Sequence, residues 1–294
     1  MVYAWCRSPR HWLGALALLA PVAAVASGDP AVGPPRLLAA GGGWASCRFA
    51  GPDFPDGPAL VGARFNQDAF AHEIVRLPLD GGAPEVLAYG REPDVRGSVL
   101  VWVGSEPGEE GVWRRDLAGD ERPTRLYGGT DMTRPSLAAD GRTVACTYQR
   151  NNQSGIFLLR HGGEKPERLV FRQEHTPAYS REGERMLAIK YDQIWLMSAR
   201  RWEEVVATRL TEGIRHDDPA WGPRGEWITF AGGLNPEDAR VGLMRLSSGR
   251  ITWPETRLQG VRSPVISGDG ALLAFVAGQG TEAAIYLCDL RLPE

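Results

Sequence analysis

This sequence of 294 residues has few cysteines, few long apolar runs and no excess of basic residues. Its 33 lysines and arginines are outnumbered by 36 aspartates and glutamates. Nucleic-acid binding usually needs a basic patch or stripe, so the charge balance predicts no nucleic-acid partner. The sequence also has no Gly-x-Ser-x-Gly elbow and no glycine-rich phosphate loop. Serine hydrolase chemistry and nucleotide binding therefore lack their usual signals, and we expect no cofactor.

The first residues, 1–26, are predicted to form a secretory signal peptide. Arg7 and Arg10 supply its positive region, and Leu13–Ala20 supplies its apolar region. Small residues before position 27 complete the cleavage signal. This apolar run is shorter than the about 20 residues that cross a bilayer, which favours cleavage over an uncleaved anchor. We expect residues 27–294 to form one periplasmic or secreted domain, monomeric and without a membrane span.

Three of the cysteines follow the predicted signal peptide: Cys47, Cys146 and Cys288. An odd number of cysteines in an exported protein cannot form a complete disulfide framework, so a packed core must supply most of the stability. Cys146 and Cys288 lie in apolar segments, where a free thiol behaves as a small hydrophobic group. We expect buried thiols, and a single bridge through Cys47 is the alternative.

A repeat of about 42 residues organises the rest of the chain. Its marker is a proline, which recurs at Pro93, Pro135, Pro177, Pro219 and Pro264. The last four prolines are followed six residues later by a glycine that comes after a polar or charged residue, a pair typical of a tight hairpin turn. Two segments rich in β-branched and aromatic residues follow each turn and are predicted to be strands. An Arg-Leu pair, at positions 125, 168, 209 and 257, then predicts a fourth strand.

Four strands per repeat are typical of a β-propeller blade. Two weaker repeats precede the clear ones, which brings the number to six. The sixth repeat ends after its third strand, and the missing Arg-Leu signature occurs near the start of the domain, at 36–38. We therefore predict an all-β, six-bladed β-propeller whose N-terminal strand closes the last blade. A β-sandwich with accidental periodicity is the alternative.

The last two repeats carry a family resemblance. RSPVISGDG at 262–270, followed by LLAF at 272–275, and DPAWGP at 218–223, followed by ITF at 228–230, resemble the TolB-like propeller repeat. The resemblance covers residues 36–294 and implies a propeller fold. It implies no single function, because the repeat occurs in binding proteins, in peptidase-associated propellers and in some lyases.

The predicted topology places the loops before the prolines on the same face as the loops between second and third strands. Several of these loops between second and third strands, including 149–155, are predicted to be long and polar. A partner is therefore expected where they meet the mouth of the central channel. The candidate partner-binding residues ring this mouth: Arg91, Glu92, Arg134, Glu174, His175, His216, Asp217, Asp218 and Arg262. Their mixed charges suit recognition of a protein or peptide segment through paired hydrogen bonds.

Two functions are compatible with this mouth. The first is an exported, non-catalytic scaffold for a protein or peptide partner in the cell envelope. The alternative is a metal-dependent enzyme of the lyase or lactonase type, in which His175 and His216, with neighbouring carboxylates, hold a divalent ion that activates water. The same residues are also compatible with solvated channel positions that bind nothing.

Overall fold

The computed structural model describes residues 28–55, 57–119, 121–151, 153–163, 165–168, 175–198, 208–211, 213 and 215–293. The predicted signal peptide lies outside these residues. Within them, no helix is both long enough and apolar enough to cross a membrane. The helical content of these ranges is three short 3-10 turns, at Pro223–Gly225, Pro236–Asp238 and Gly280–Glu282.

The described residues form six antiparallel sheets, one for each predicted repeat. Blade 1 contains β3 (Trp44–Ala50), β4 (Ala59–Asn66), β5 (Ala71–Pro78) and β6 (Glu85–Tyr89). Blade 2 contains β7 (Arg91–Arg96), β8 (Val99–Gly104), β9 (Gly111–Asp116) and β10 (Thr124–Gly128). Blade 3 contains β11 (Met132–Leu137), β12 (Thr143–Arg150), β13 (Gln153–Arg160) and β14 (Glu167–Arg168).

The other three blades follow the same order. Blade 4 contains β15 (His175–Tyr179), β16 (Arg185–Lys190), β17 (Gln193–Ser198) and β18 (Thr208–Arg209). Blade 5 contains β19 (Arg215–Trp221), β20 (Trp227–Gly233), β21 (Arg240–Arg245) and β22 (Ile251–Thr252). Blade 6 contains β23 (Arg262–Ile266), β24 (Leu272–Ala277) and β25 (Ala284–Arg291), together with the N-terminal strands β1 (Ala31–Val32) and β2 (Arg36–Ala39). The six-bladed propeller is confirmed.

The N-terminal strands close the ring as predicted. Strand β2 pairs antiparallel with β25, with Arg36 opposite Leu287 and Leu37 opposite Tyr286. Strand β1 pairs with the end of the same strand, with Val32 opposite Leu290. The outer side of β25 is thus covered, which removes an edge that would otherwise be open to pairing with another chain.

Two local predictions are wrong. The fourth strand of blade 5 is β22 at 251–252, not the Arg-Leu pair at 257–258, because a tight turn around Gly249 brings Thr252 directly opposite Leu243. The expected long loop at 149–155 in blade 3 is a two-residue connection, because β12 and β13 stay paired out to Arg150 and Gln153.

Among the described residues, the core consists of six apolar clusters, each of which joins two neighbouring blades. The cluster between blades 6 and 1, for example, packs Trp44 and Leu60 against Val276 and Ile285. Equivalent clusters follow around the ring. All three cysteines of the domain are free and buried, which confirms the expected buried thiols and not the bridge. Since every blade buries its two faces against others, stability depends on completing the ring.

The first strand of blades 2 to 6 carries a repeated β-bulge at the proline. The residue before each proline has a left-handed backbone, with φ between 48° and 54°: Glu92, Arg134, Thr176, Asp218 and Ser263. The pairing register shifts at the same places. Left-handed backbone is uncommon outside glycine and costs of order 1–3 kcal/mol per residue, so the surrounding ring must hold it in place.

Candidate functional site

The bulges let side chains of one blade reach the backbone of the next. The carboxylate of Glu92 in blade 2 accepts a hydrogen bond from the backbone N–H of Arg134 in blade 3, at 2.6 Å. In the same way, Asp218 in blade 5 accepts from the N–H of Ser263 in blade 6, at 2.9 Å. The predicted mouth residues Glu92 and Asp218 therefore join neighbouring blades.

Arg134 is the centre of a charged cluster that reaches across the channel from blade 3. Its Nη1 lies 2.8 Å from Thr176 Oγ1, 2.9 Å from Asp217 Oδ1 and 3.1 Å from Asp218 Oδ1. Burial alone raises the pKa of Asp217, but Arg134 and the N–H of Asp218 outweigh it, and the net result is a lowered pKa. The Asp217 carboxylate is thus placed to remain ionised beside the guanidinium.

A cavity of about 210 Å³ opens beside this cluster, between blades 5 and 6. It is lined by charged side chains and by small apolar side chains. We call it the mouth pocket, and its lining includes Arg134, Arg215, Asp217, Asp218, Ala231, Ala239, Val261 and Arg262. Four of the nine predicted site residues, at positions 134, 217, 218 and 262, therefore line one pocket.

Several other predicted residues do not line this pocket, and Arg262 has a second role. Arg91 is exposed at the start of β7, and Glu174 lies outside the described residues. His175 is half-buried, with Nδ1 2.8 Å from Thr176 Oγ1, and burial lowers its pKa. Arg262 lines the pocket, but its guanidinium donates to the carbonyls of Gly260, Gly278 and Trp44, so it also ties blade 6 to blade 1.

His216 is not at the mouth, contrary to expectation. It is 1% exposed and packs against Phe230 and Trp253, with ring centroids 4.9 Å and 6.4 Å away. The reason is the alternation of side chains along a strand, which turns neighbours on β19 to opposite faces. Burial lowers the pKa of His216. In the described part of the chain, no three or more His, Cys, Asp or Glu side chains are placed to share a metal ion.

The candidate site also includes apolar residues that the sequence reading missed. Phe70, Tyr191 and Leu234 are 84%, 69% and 76% exposed, and each lies in a connection between the second and third strands of its blade. Tyr89, 50% exposed, ends β6 at the same face. We call this side of the propeller, with the mouth pocket, the long-loop face. In the sequence, these residues could have been found as large apolar residues within otherwise polar connections.

Comparisons with known proteins support the fold. No protein-family model matches the sequence, and no curated protein matches it. Among solved structures, the chain is similar to TolB from Acinetobacter baumannii (14% identity, TM-score 0.58, covering 85% of this chain and 64% of that one). It is also similar to the putative TolB from Agrobacterium tumefaciens (22% identity, TM-score 0.58, 70% and 80% covered). A third is regucalcin, a calcium-binding protein from Agrobacterium tumefaciens (13% identity, TM-score 0.64, 87% and 93% covered).

These similarities define the class of protein as a six-bladed β-propeller. Within that class, the solved TolB structures share the topology seen here, in agreement with the resemblance of the repeats. At these identities the likeness concerns the fold. The chain spans 64% of the length of the Acinetobacter TolB, which is less than two thirds.

Proposed function

We propose that this protein is an exported, non-catalytic scaffold that binds a protein or peptide partner in the cell envelope through its long-loop face. The observation that carries the proposal is the presence of exposed apolar side chains on the same face as the mouth pocket: Phe70, Tyr191 and Leu234. Exposed apolar groups rimmed by polar residues are typical of protein interaction sites. The predicted signal peptide and the similarity to TolB-like propellers support the envelope location, and we take the scaffold to be a monomer.

Two of the exposed aromatic residues are held in unusual backbone conformations. Phe70 and Tyr191 have φ of 50° and 51°, in the left-handed region that bulky residues rarely occupy. Backbone strain of this kind is concentrated at ligand clamps and switch regions. Aromatic side chains are also the residues that most often dominate the binding energy of protein interfaces. Both features favour Phe70 and Tyr191 as anchors for a partner.

The mouth pocket adds charges of both signs to these anchors. Arg215 is half exposed and lies 3.7 Å from Asp192 and 4.0 Å from Asp217. Such distances leave its guanidinium able to bind a carboxylate of a partner in place of these weak pairs. The second oxygen of Asp217 likewise faces Arg215 and is available to a basic group. Mixed charges around an apolar floor provide selectivity and orientation for a peptide segment.

Capture from cell envelopes tests this proposal. The purified protein, carrying a crosslinker, is incubated with solubilised envelope, and captured proteins are identified by mass spectrometry. The double substitution Phe70→Ser and Tyr191→Ser is expected to reduce recovery of the partner at least tenfold, which corresponds to about 1.4 kcal/mol. Leu37→Ser is the matched control, because Leu37 is 55% exposed on the outer strand β2.

Recovery of the same partner by both variants would overturn the proposal. The metal-dependent alternative is followed in parallel by elemental analysis of the purified protein. A stoichiometric divalent ion that is lost in His175→Ala, together with unchanged partner capture, would favour the enzyme over the scaffold.

A further inference from the structure

A second and larger cavity lies at the other end of the channel. Its volume is about 500 Å³, more than twice that of the mouth pocket. It opens among the turns between first and second strands, so we call that side the turn face and this space the turn-face cavity. The first strands of all six blades contribute to its wall: Arg48, Asp94, Ser136, Ala178, Ala220 and Val265. Cavities of roughly 300–1,000 Å³ are typical of sites for small molecules.

Blades 4 to 6 form an apolar side of this cavity. Ala178, Ala220 and Val265 occupy equivalent positions, two residues beyond the left-handed residue of each first strand. Trp221 and Ile266 extend the same wall. Because these three equivalent side chains are small, the wall is set back from the channel axis and leaves room for an apolar group.

Blades 1 and 2 form a charged side in which Arg48 retains hydrogen-bonding capacity. Its Nη1 donates to Ser263 Oγ at 2.6 Å and to the carbonyl of Cys47 at 2.8 Å. Its Nε lies 3.8 Å from Asp94 Oδ1, beyond the distance of a charge-assisted hydrogen bond. The other oxygen of Asp94 accepts from the N–H of Leu137 at 2.7 Å. Since a guanidinium has five N–H donors, Arg48 can still donate to a ligand.

Two more arginines lie at the rim. Arg96 donates to the carbonyls of residues 179, 180 and 181, at 3.3, 2.9 and 2.9 Å, and so spans from blade 2 to blade 4. Arg181 is exposed, and its guanidinium lies against Gly268 in the turn of blade 6. Burial lowers the pKa of Arg96, and the positive charge of Arg181 acts in the same direction. The rim therefore holds two neighbouring cations.

The acidic residues of the cavity either already accept hydrogen bonds within the protein or lie at its edge. Asp140 accepts hydrogen bonds from the N–H groups of Arg142 and Thr143 and from the Thr143 hydroxyl. Asp53 is exposed at the edge. The carboxylates of Asp94 and Asp140 thus accept from backbone N–H groups, whereas the hydrogen bonds of Arg48 and Arg96 go to neutral oxygens.

We propose that the turn-face cavity binds a small organic carboxylate with an apolar body. The carboxylate binds Arg48 and the rim arginines, whose planar forks match two carboxylate oxygens. The apolar body packs against the small side chains of blades 4 to 6 and against Trp221. This site is separate from the long-loop face and does not depend on the partner proposed above.

A matched pair of compounds tests this inference: 4-phenylbutyrate and 4-phenylbutan-1-ol share an apolar body and differ in the carboxylate. Ligand-observed NMR with the purified full chain measures weak binding of both. The acid is expected to bind at least tenfold more tightly than the alcohol. Arg181→Gln is expected to weaken the acid severalfold, whereas Arg224→Gln, an exposed arginine on the same face that does not line the cavity, leaves it unchanged.

Filling the cavity provides a second measurement. Ala220→Leu and, from a different blade, Ala178→Leu are each expected to abolish binding of the acid, with circular dichroism used to confirm that the variants fold. Phe70→Ser should leave binding of the acid intact, which separates this site from partner capture. Equal binding of acid and alcohol, undiminished binding in both folded leucine variants, or no binding of the acid would each overturn the proposal.

Discussion

At the long-loop end of the channel, Arg134 pairs with two carboxylates, whereas at the turn end Arg96 binds backbone carbonyls. Arg134 donates to Asp217 and Asp218, so ionised groups from blades 3 and 5 hold each other in place. Arg96 instead donates to three backbone carbonyls of blade 4. Both arginines cross the ring, but the first donates hydrogen bonds to carboxylates, whereas those of the second go to backbone carbonyls.

This difference separates what each end can bind. A carboxylate paired with arginine can exchange that arginine for a basic group of another protein, and its contribution to stability depends on pH. An arginine bound to carbonyls keeps its charge available to an anion. A partner of mixed charge therefore suits the first end, and a small anion suits the second. Substitutions at the two arginines test the comparison directly.

Arg134→Ala is expected to have the largest effect, because it leaves two half-buried carboxylates without their cation. We expect the free energy of unfolding at pH 7, measured by urea denaturation, to fall by about 2.5 kcal/mol. Burial raises the pKa of Asp217, but Arg134 and the N–H of Asp218 outweigh it and lower the pKa in the folded protein.

The pH dependence of this variant follows from that lowered pKa. A carboxylate with a lowered pKa stabilises the fold above its unfolded value of about 3.9, and this contribution is lost as the pH falls through the folded value. The difference between wild type and Arg134→Ala should therefore shrink below a pH of about 4. A difference that stays constant from pH 7 to pH 3 would show that the carboxylates do not depend on Arg134.

Arg96→Ala is expected to have a smaller effect at the turn end. Loss of three hydrogen bonds to carbonyls near the surface should lower the free energy of unfolding by about 1.5 kcal/mol. Because carbonyls do not titrate, the loss should be the same at pH 7 and pH 4, unlike that of Arg134→Ala. Arg224→Ala serves as the control. A loss that varies with pH would mean that Arg96 pairs with a carboxylate after all.

His216→Phe is expected to have the smallest effect, and it reports on the buried aromatic contacts of blade 5. Burial lowers the pKa of His216, although the carbonyl of Asp192 acts in the opposite direction. An unfolded histidine takes up its proton near pH 6.5, so the wild-type protein loses stability as the pH falls below that value. With phenylalanine packed against Phe230 and Trp253 instead, the fall in Tm between pH 7 and pH 5 should be a few degrees smaller than in the wild-type protein. If the plots of Tm against pH for wild type and His216→Phe ran parallel, the expectation would be contradicted.

The number of blades and the closing strand were predictable because they depend on a spacing that the chain repeats. The four turn glycines, at 141, 183, 225 and 270, all have positive φ, as a tight turn requires. The placement of Arg134, Asp217 and Asp218 in one pocket followed from the same repeat, because equivalent positions in successive blades meet around one axis.

Other features depend on interactions that a linear pattern does not contain. Residues before proline usually have extended backbone, yet here five of them are left-handed, because hydrogen bonds to the next blade offset the strain. That bulge, with the ordinary alternation along β19, decides that Asp217 reaches the pocket and His216 does not. The turn-face cavity arises from the small size of Ala178, Ala220 and Val265, which becomes visible only when three blades are brought together.

The left-handed residue before proline recurs in five blades, and its absence from blade 1 breaks the rotational pseudo-symmetry of the ring. The first strand of that blade, β3, shifts register near Trp44 without a left-handed residue. It also carries Arg48, which is replaced by small residues at equivalent positions in blades 4 to 6. One blade thus differs from the others at the channel wall, so the six angular settings about the axis are not equivalent.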